Sequence, residues 1–354
     1  MKKHIEKYCR ESISLANTVC SDSFPPFLGL FTLISLLPAF LYGCNVPQAL
    51  PSAQRGAVTK VMATSSQGQI NELDIFVFND DKMQRLDSYQ KVTDPLSWNH
   101  ELISGSGDRI ITVCANSSKC VEDWFSISSM SSLEEMTASL EEEDRRSPKM
   151  NGSAWISDLH DNGHASITLS PIFSIVKVNS IRCDFSRRPY AGERLEDVKV
   201  YLTNVNAECR ILDKEDILPI RIINAGRLHE EDLRMFPDPS ILTDQINENI
   251  GPAAVYPGIE FICYPNNSTA EGPGTPFTRL VIEGKVQGET FYWPLNINRD
   301  DGGYGVGRNE RYVYDITINR KGTKDPDIPV RTEDMDISFK IEKWNEKEEY
   351  AVIF

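Results

Sequence analysis

From Ala57 onward, apolar and polar residues alternate with a period of two over short stretches rich in β-branched and aromatic side chains. A strand turns successive side chains to opposite faces, so such stretches read as strands with one face buried. The pattern predicts strands over residues 73–78, 110–115, 167–169, 172–178, 198–205, 260–264, 278–286, 290–297, 312–319 and 336–341. Turn-forming residues punctuate them at 79–82, 284–288, 300–303 and 322–329. Many short strands with this punctuation favour sandwiches over βαβ units. Leu133, Met136 and Leu140 share one helical face, and Ser132 with Glu135 has the spacing of a capping box, so a helix is predicted from Ser132. A second short helix is predicted over 230–236. No internal repeat is evident, but a polar, turn-rich stretch at 163–166 divides the pattern. The fold class is therefore all-β, in two tandem sandwiches with one or two short helices.

Ahead of this region lies a stretch of different character. Residues 27–41 read FLGLFTLISLLPAFL, without a charge. About fifteen apolar residues are too few to span a bilayer comfortably, and they suit the apolar core of a signal peptide. The stretch ends in Leu41-Tyr42-Gly43-Cys44, which resembles a lipobox, where a small residue precedes a cysteine that is acylated and becomes the new N-terminus. A single acyl chain gives marginal membrane binding and several give a stable anchor. The expected division is a signal peptide over 1–43, a lipid-attached tether over 44–56, an N-terminal β-sandwich over 57–165 and a C-terminal β-sandwich over 166–354. The tether, NVPQALPSAQRG after Cys44, is polar and proline-containing, and Arg55-Gly56 within it is a basic site open to a trypsin-like protease.

Composition changes this picture little. The 354 residues carry a formal charge of -15, which disfavours nucleic acid, because phosphate binding needs clustered Lys and Arg. Of eight cysteines, five follow the leader: Cys114, Cys120, Cys183, Cys209 and Cys263. An odd number at irregular spacing, with no CxxC pair, is neither a disulfide framework nor a zinc site, so these read as small buried hydrophobes, with a Cys114–Cys120 pair as the alternative. The glycine-rich 302–307 lacks the following helix and Lys-Ser/Thr of a phosphate loop and reads as a flexible loop. His160 and His164 are four apart, but Asn162-Gly163 breaks any helix that would set them on one face. No nucleophile or metal motif of an enzyme occurs, so no catalysis, cofactor or metal is expected. Trp98, Trp124 and Trp155 are candidate stacking platforms for glycans, whereas Trp293 and Trp344 sit in strand-like alternation.

At this point the chain resembles the fimbrillin family, the two-domain pilins and associated proteins of type V pili. The resemblance rests on ordered blocks across the mature chain: INELDIFVFND (70–80), ITVCANSS (111–118), MNGS (150–153), ITLSPIFSIVKV (167–178), EFICYPN (260–266), TRLVIEGKVQGETFYWPLNI (278–297) and VGRNERYVYDITINRKGTKDPDIPV (306–330). Arg308, Asn309 and Tyr312, together with KDPDIPV, are the most telling. The family implies two transthyretin-like sandwiches and assembly by strand donation. In its stalk subunits, an Arg-specific protease removes the first strand and opens a groove, which the C-terminal strand of the next subunit fills. That is β-augmentation: main-chain hydrogen bonds give affinity and alternate side chains enter pockets.

Mapped onto this chain, the resemblance has two sides. Tyr350, Val352 and Phe354 alternate at the C-terminus and form a candidate donor strand, or else the last strand of the chain's own fold. A cut after Arg55 would release 44–55, which contains Pro47 and Pro51 and no alternation, and the plausible first strand at 57–63 would stay behind. The expectation is a structural, anchoring or accessory subunit of a fimbria. It would be held in the outer membrane through Cys44, with other fimbrial subunits as partners. The alternative is a surface glycan-binding lipoprotein.

Overall fold

The computed structural model describes residues 57–65, 67–94, 102–159, 163–212, 218–299, 302–330, 336–343 and 350–353. Cys44, Arg55, Gly56, Trp98, His160, Trp344 and Phe354 lie outside them.

The first half contributes β1 (Ala57–Ser65), β2 (Leu73–Asn79), β3 (Leu86–Val92), β4 (Leu102–Ser104), β5 (Gly107–Ala115), β6 (Thr137–Ser139), β7 (Met150–Leu159), β8 (Gly163–Thr168) and the two-residue β9 (Ser170–Pro171), with a short helix α1 (Met130–Glu134). One sheet runs β3-β2-β5-β7-β9. Its interior strand β2 is buried on both faces, and period two explains how. Ile75 and Val77 enter a core with Ala63, Leu102, Ile111, Val113 and Ile167, which lies against the strands around β1. Phe76 and Phe78 enter a second core with Ile110, Cys114, Trp124, Leu133 and Leu140. The Trp124 ring meets Phe76 edge-on, with centroids 5.1 Å apart.

The second half contributes β10 (Ser174–Cys183), β11 (Glu196–Thr203), β12 (Val205–Asn206), β13 (Glu208–Arg210), β14 (Ile222–Ile223), β15 (Thr243–Ile246), β16 (Ile259–Cys263), β17 (Arg279–Val286), β18 (Glu289–Asn296), β19 (Glu310–Ile318) and β20 (Asp336–Lys343), with a helix α2 (Glu230–Leu233). The chain ends in β21 (Tyr350–Ile353). Two further sheets run β16-β10-β19-β20 and β15-β11-β17-β18. β17 and β18 form a hairpin in which Val286 faces Glu289, and Gln287 and Gly288 both have positive φ. That geometry is the two-residue turn whose twist matches the flanking strands.

The halves are joined by a small sheet and by polar contacts. β6 pairs with β13, so a strand from the first half meets one from the second. Arg221 pairs with Glu141, and Arg210 with Glu135 at 2.7 Å. The Tyr264 hydroxyl donates to Glu143 Oε1 at 2.7 Å. The second core continues across this junction into Val176, Cys209, Phe261 and Tyr264.

Several sequence expectations shift. The helix expected from Ser132 starts two residues earlier, at Met130. Ser129 is its N-cap, and Ser132 serves as the N3 partner of the capping box. It ends at Glu134, because 137–139 is recruited as β6 by β13, and tertiary pairing outweighs the helical spacing of Met136 and Leu140. Residues 163–166, read as a turn-rich boundary, are the start of β8. Gly284, read as part of a turn, lies within β17, where a Cβ would sit 2.6 Å from Leu195 Cδ1. The 302–307 loop is pinned. Gly305 N donates to Asn298 O at 2.8 Å, Asn298 Nδ2 returns a bond to Gly305 O at 2.8 Å, and Tyr312 Oη lies 3.1 Å from the same carbonyl, its proton shared with Glu310 Oε2. The five cysteines are free, with Cys114, Cys183, Cys209 and Cys263 buried.

Candidate strand-exchange site

The site is built around β1, AVTKVMATS, whose alternation carries Ala63 and Ser65 into the protein. Parallel β8 pairs with residues 59–64. Antiparallel β4 pairs with 57–59 and antiparallel β21 with 62–65. Thr59 pairs with both Leu102 and Gly163, and residues 62–64 pair with both β8 and β21. A strand has two edges, so β8 fills one, while β4 and β21 share the other end to end. Both rows of β1 backbone groups are therefore engaged along most of its length.

Packing fixes the strand further. Ala63 is buried with Leu102 and Ile167. Ser65 is buried, its hydroxyl donating to Met150 Sδ at 3.1 Å and accepting from Gln67 N at 3.1 Å. Leu169 N donates to Thr64 O at 2.7 Å and extends the ladder past the end of β8. Of the candidate donor residues, Tyr350 faces Ser65 and Val352 faces Ala63 in this register. The C-terminal strand thus lies on the first strand of its own chain. Sequence reasoning proposed β1 and the tail separately; their pairing spans nearly the whole chain and leaves no local signal.

The protease candidates Arg55 and Gly56 and the lipid candidate Cys44 fall outside the described residues. The glycan candidates separate. Trp124 is buried against Phe76 and offers no stacking face, whereas Trp155 on β7 is 69% exposed. Trp293 is fully buried, and its ring nitrogen donates to Arg320 O at 3.0 Å. Among the described residues, no group of three or more His, Cys, Asp or Glu is placed to hold a metal, and no helix is long and apolar enough to cross a membrane.

The blocks that carry the family resemblance are structural pins. The Arg308 guanidinium donates to the carbonyls of Arg210, Ile211 and Leu212. Asn309, at positive φ, donates its N–H to Phe173 O at 3.1 Å. Tyr312 accepts from Gly307 N at 2.9 Å, and its hydroxyl is pushed far up by burial and by its bond to Glu310. In KDPDIPV, Asp327 receives the buried Arg279 at 2.5 Å, and Arg279 also reaches Glu271. Thr323 and Val330 bond the free edge of β18 through Tyr292 and Pro294, which covers an edge that would otherwise pair with another chain.

Two carboxyls lie near these elements, Asp74 buried and Glu143 half-buried. Burial raises Asp74 above the usual carboxylate range, against hydrogen bonds from Ser117 and Tyr89 and the nearby charge of Lys91. Burial likewise raises Glu143, opposed by Lys149 and by the Tyr264 hydroxyl.

No protein-family model matches the chain, and no curated protein sequence matches it. Solved structures do. A candidate cell adhesion protein from Bacteroides eggerthii is 15% identical, with 82% of this chain and 96% of that one covered at a TM-score of 0.62. A second, from Parabacteroides distasonis, is also 15% identical, with 83% and 99% covered at 0.60. A fimbrilin from Porphyromonas gingivalis is 13% identical, with 82% and 98% covered at 0.59. The chain shares their fold along almost their whole length: it has the fimbrilin-like, all-β architecture that the ordered sequence blocks implied.

Proposed function

We propose that this chain is a non-catalytic structural subunit of a cell-surface fimbria, acting at an anchoring or accessory position rather than as a repeating stalk unit. The fold shared with a fimbrilin and with candidate cell adhesion proteins supports the fimbrial part. The placement of β1 supports the position. Between Val61 and Asp81 there is no Lys or Arg, so a trypsin-like protease has no site that would excise the whole of β1 without taking β2 with it. The strand lies between β8 on one edge and β4 with β21 on the other. A cut after Arg55 would free the tether and leave this sheet closed.

Closed in this way, the N-terminal sheet does not accept a donor strand in place of β1, so a neighbouring subunit joins only at the edge that the tail covers. The tail is the segment that exchanges, leaving the β1 edge to pair with a neighbouring subunit. Cys44 carries the lipid that holds the chain in the outer membrane. The test is N-terminal mass spectrometry of protein from cells, before and after an Arg-specific protease. A diacylated Cys44 and, after digestion, a Gly56 start with no polymer are expected. A mature N-terminus beyond Ser65, or polymers after digestion, would refute the anchoring position. For the tail, deletion of residues 350–354 is expected to abolish co-purification with other fimbrial subunits; unchanged co-purification excludes it as the exchanging strand. For Cys44, the Cys44→Ala variant should take up no palmitate label.

A further inference from the structure

The outer face of the β16-β10-β19-β20 sheet carries a hollow that strand exchange leaves unused. β10 has one extra residue against β19: Val178 faces Tyr314 and Ser180 faces Asp315, so Asn179 bulges. A bulge bends the strand and re-aims neighbouring side chains. Beside it, Ser180, Arg182, Ala254, Asp315, Thr317 and Ser338 line a trough of about 470 Å3.

Its walls offer both kinds of hydrogen-bonding group. Asp315 accepts from Asn179 Nδ2 at 2.7 Å and from Ser180 Oγ, both on Oδ1. Its Oδ2 takes no donor among the described residues. Those two bonds hold the carboxyl below the usual range, so it stays ionised at neutral pH. Arg182 donates Nε–H to Thr317 Oγ1 at 2.8 Å, and its terminal nitrogens meet no acceptor among the residues whose side chains are described. Ile181 and Val255 exchange both backbone bonds at 2.9 Å. That register sets Ala254 beside Arg182 and Tyr256 beside Ser180, on the same outer face. Tyr256 is 72% exposed.

We propose that this trough is a binding subsite for a neutral saccharide. A sugar hydroxyl both donates and accepts, so adjacent hydroxyls match an open carboxylate oxygen and an open guanidinium fork set in one wall. Hydroxyls from Ser180, Thr317 and Ser338 extend the same pattern. Tyr256, exposed and set beside Ser180 by the strand register, is the aromatic side chain assigned to the apolar face of a sugar ring. Arg182 and Asp315 offset each other within a chain of formal charge -15, so phosphate and acidic sugars gain little here. The lining is too polar to favour an apolar ligand. An open trough buries one face of one sugar, which places the affinity on the order of millimolar. This inference is independent of the anchoring position, and it moves the saccharide role away from the tryptophans to the second half of the chain.

The test is saturation-transfer NMR on the full chain. The probes are the methyl glycosides of mannose, galactose, glucose and N-acetylglucosamine, with N-acetylneuraminic acid as the acidic control. Transfer to at least one neutral glycoside is expected. Binding should weaken by about tenfold or more in Arg182→Ala and in Tyr256→Ala, and remain unchanged in Trp155→Ala. Arg182 and Tyr256 are both exposed, so neither variant threatens folding. Absence of transfer to every neutral glycoside would overturn the proposal. So would transfer to the acidic sugar alone, binding that survives both trough variants, or binding lost in Trp155→Ala.

Discussion

At the scale of single residues, the side chains that stand out in the sequence are mostly those that satisfy buried backbone. Arg308 is the clearest. Its planar fork reaches three successive carbonyls, which a lysine, with one point of donation, cannot span. Arg308→Lys is expected to lower unfolding free energy by about 2 kcal/mol, read from the urea midpoint at constant slope, while co-purification with fimbrial subunits persists under native conditions. Loss of co-purification without loss of stability would mean that Arg308 contacts a partner. Phe76 tests the core in the same way. It is fully buried, meets Trp124 edge-on and packs against a tilted Tyr89 ring. Phe76→Ala should cost about 3–5 kcal/mol, and a cost below about 1 kcal/mol would mean the ring is not packed as described.

At the scale of elements, local rules explain what was legible. β2 and β17 were readable because the short apolar runs Ile75 to Phe78 and Leu280 to Ile282 leave no competing periodicity, and the β17–β18 turn because Gln287-Gly288 follows Val286. β7 escaped because its sequence, MNGSAWISDL, mixes small and polar residues; Gly152 is there for a tertiary reason, since a Cβ would meet Thr168 O at 2.3 Å. α1 was misplaced because two capping patterns overlap, and the pairing of β6 with β13 chose between them. The exchange site was legible in its parts, a first strand and an alternating tail, but not as a pair. The choice of cap gives a prediction. Ser129→Ala removes the bond that Ser129 Oγ accepts from Ser132 N, and it should lower stability by about 1 kcal/mol. Glu135→Ala should have no capping effect, because Glu135 lies past the helix and pairs with Arg210 on the surface. The reverse order of effects in thermal unfolding would restore the helix start at Ser132.

At the scale of the whole molecule, the two halves are one packing unit across the β6–β13 junction, and Glu143 sits inside that junction. Its carboxyl faces the Tyr264 hydroxyl, with Lys149, Glu142 and Cys209 around it. Burial dominates and raises its pKa, so the folded state keeps this proton to higher pH than the unfolded chain does. The stabilisation from that proton is present below the ordinary glutamate range and is lost as pH rises through the raised value. Asp74 is raised for the same reason and has the same sign. Glutamine at position 143 keeps an acceptor for Tyr264 without a charge to desolvate. The melting temperature of Glu143→Gln minus that of the parent should therefore increase from pH 4 toward pH 7. The Asp74 contribution is common to both proteins and cancels in that difference. A difference that stays flat, or that shrinks with pH, would mean that Lys149 and Tyr264 stabilise the carboxylate more than burial penalises it.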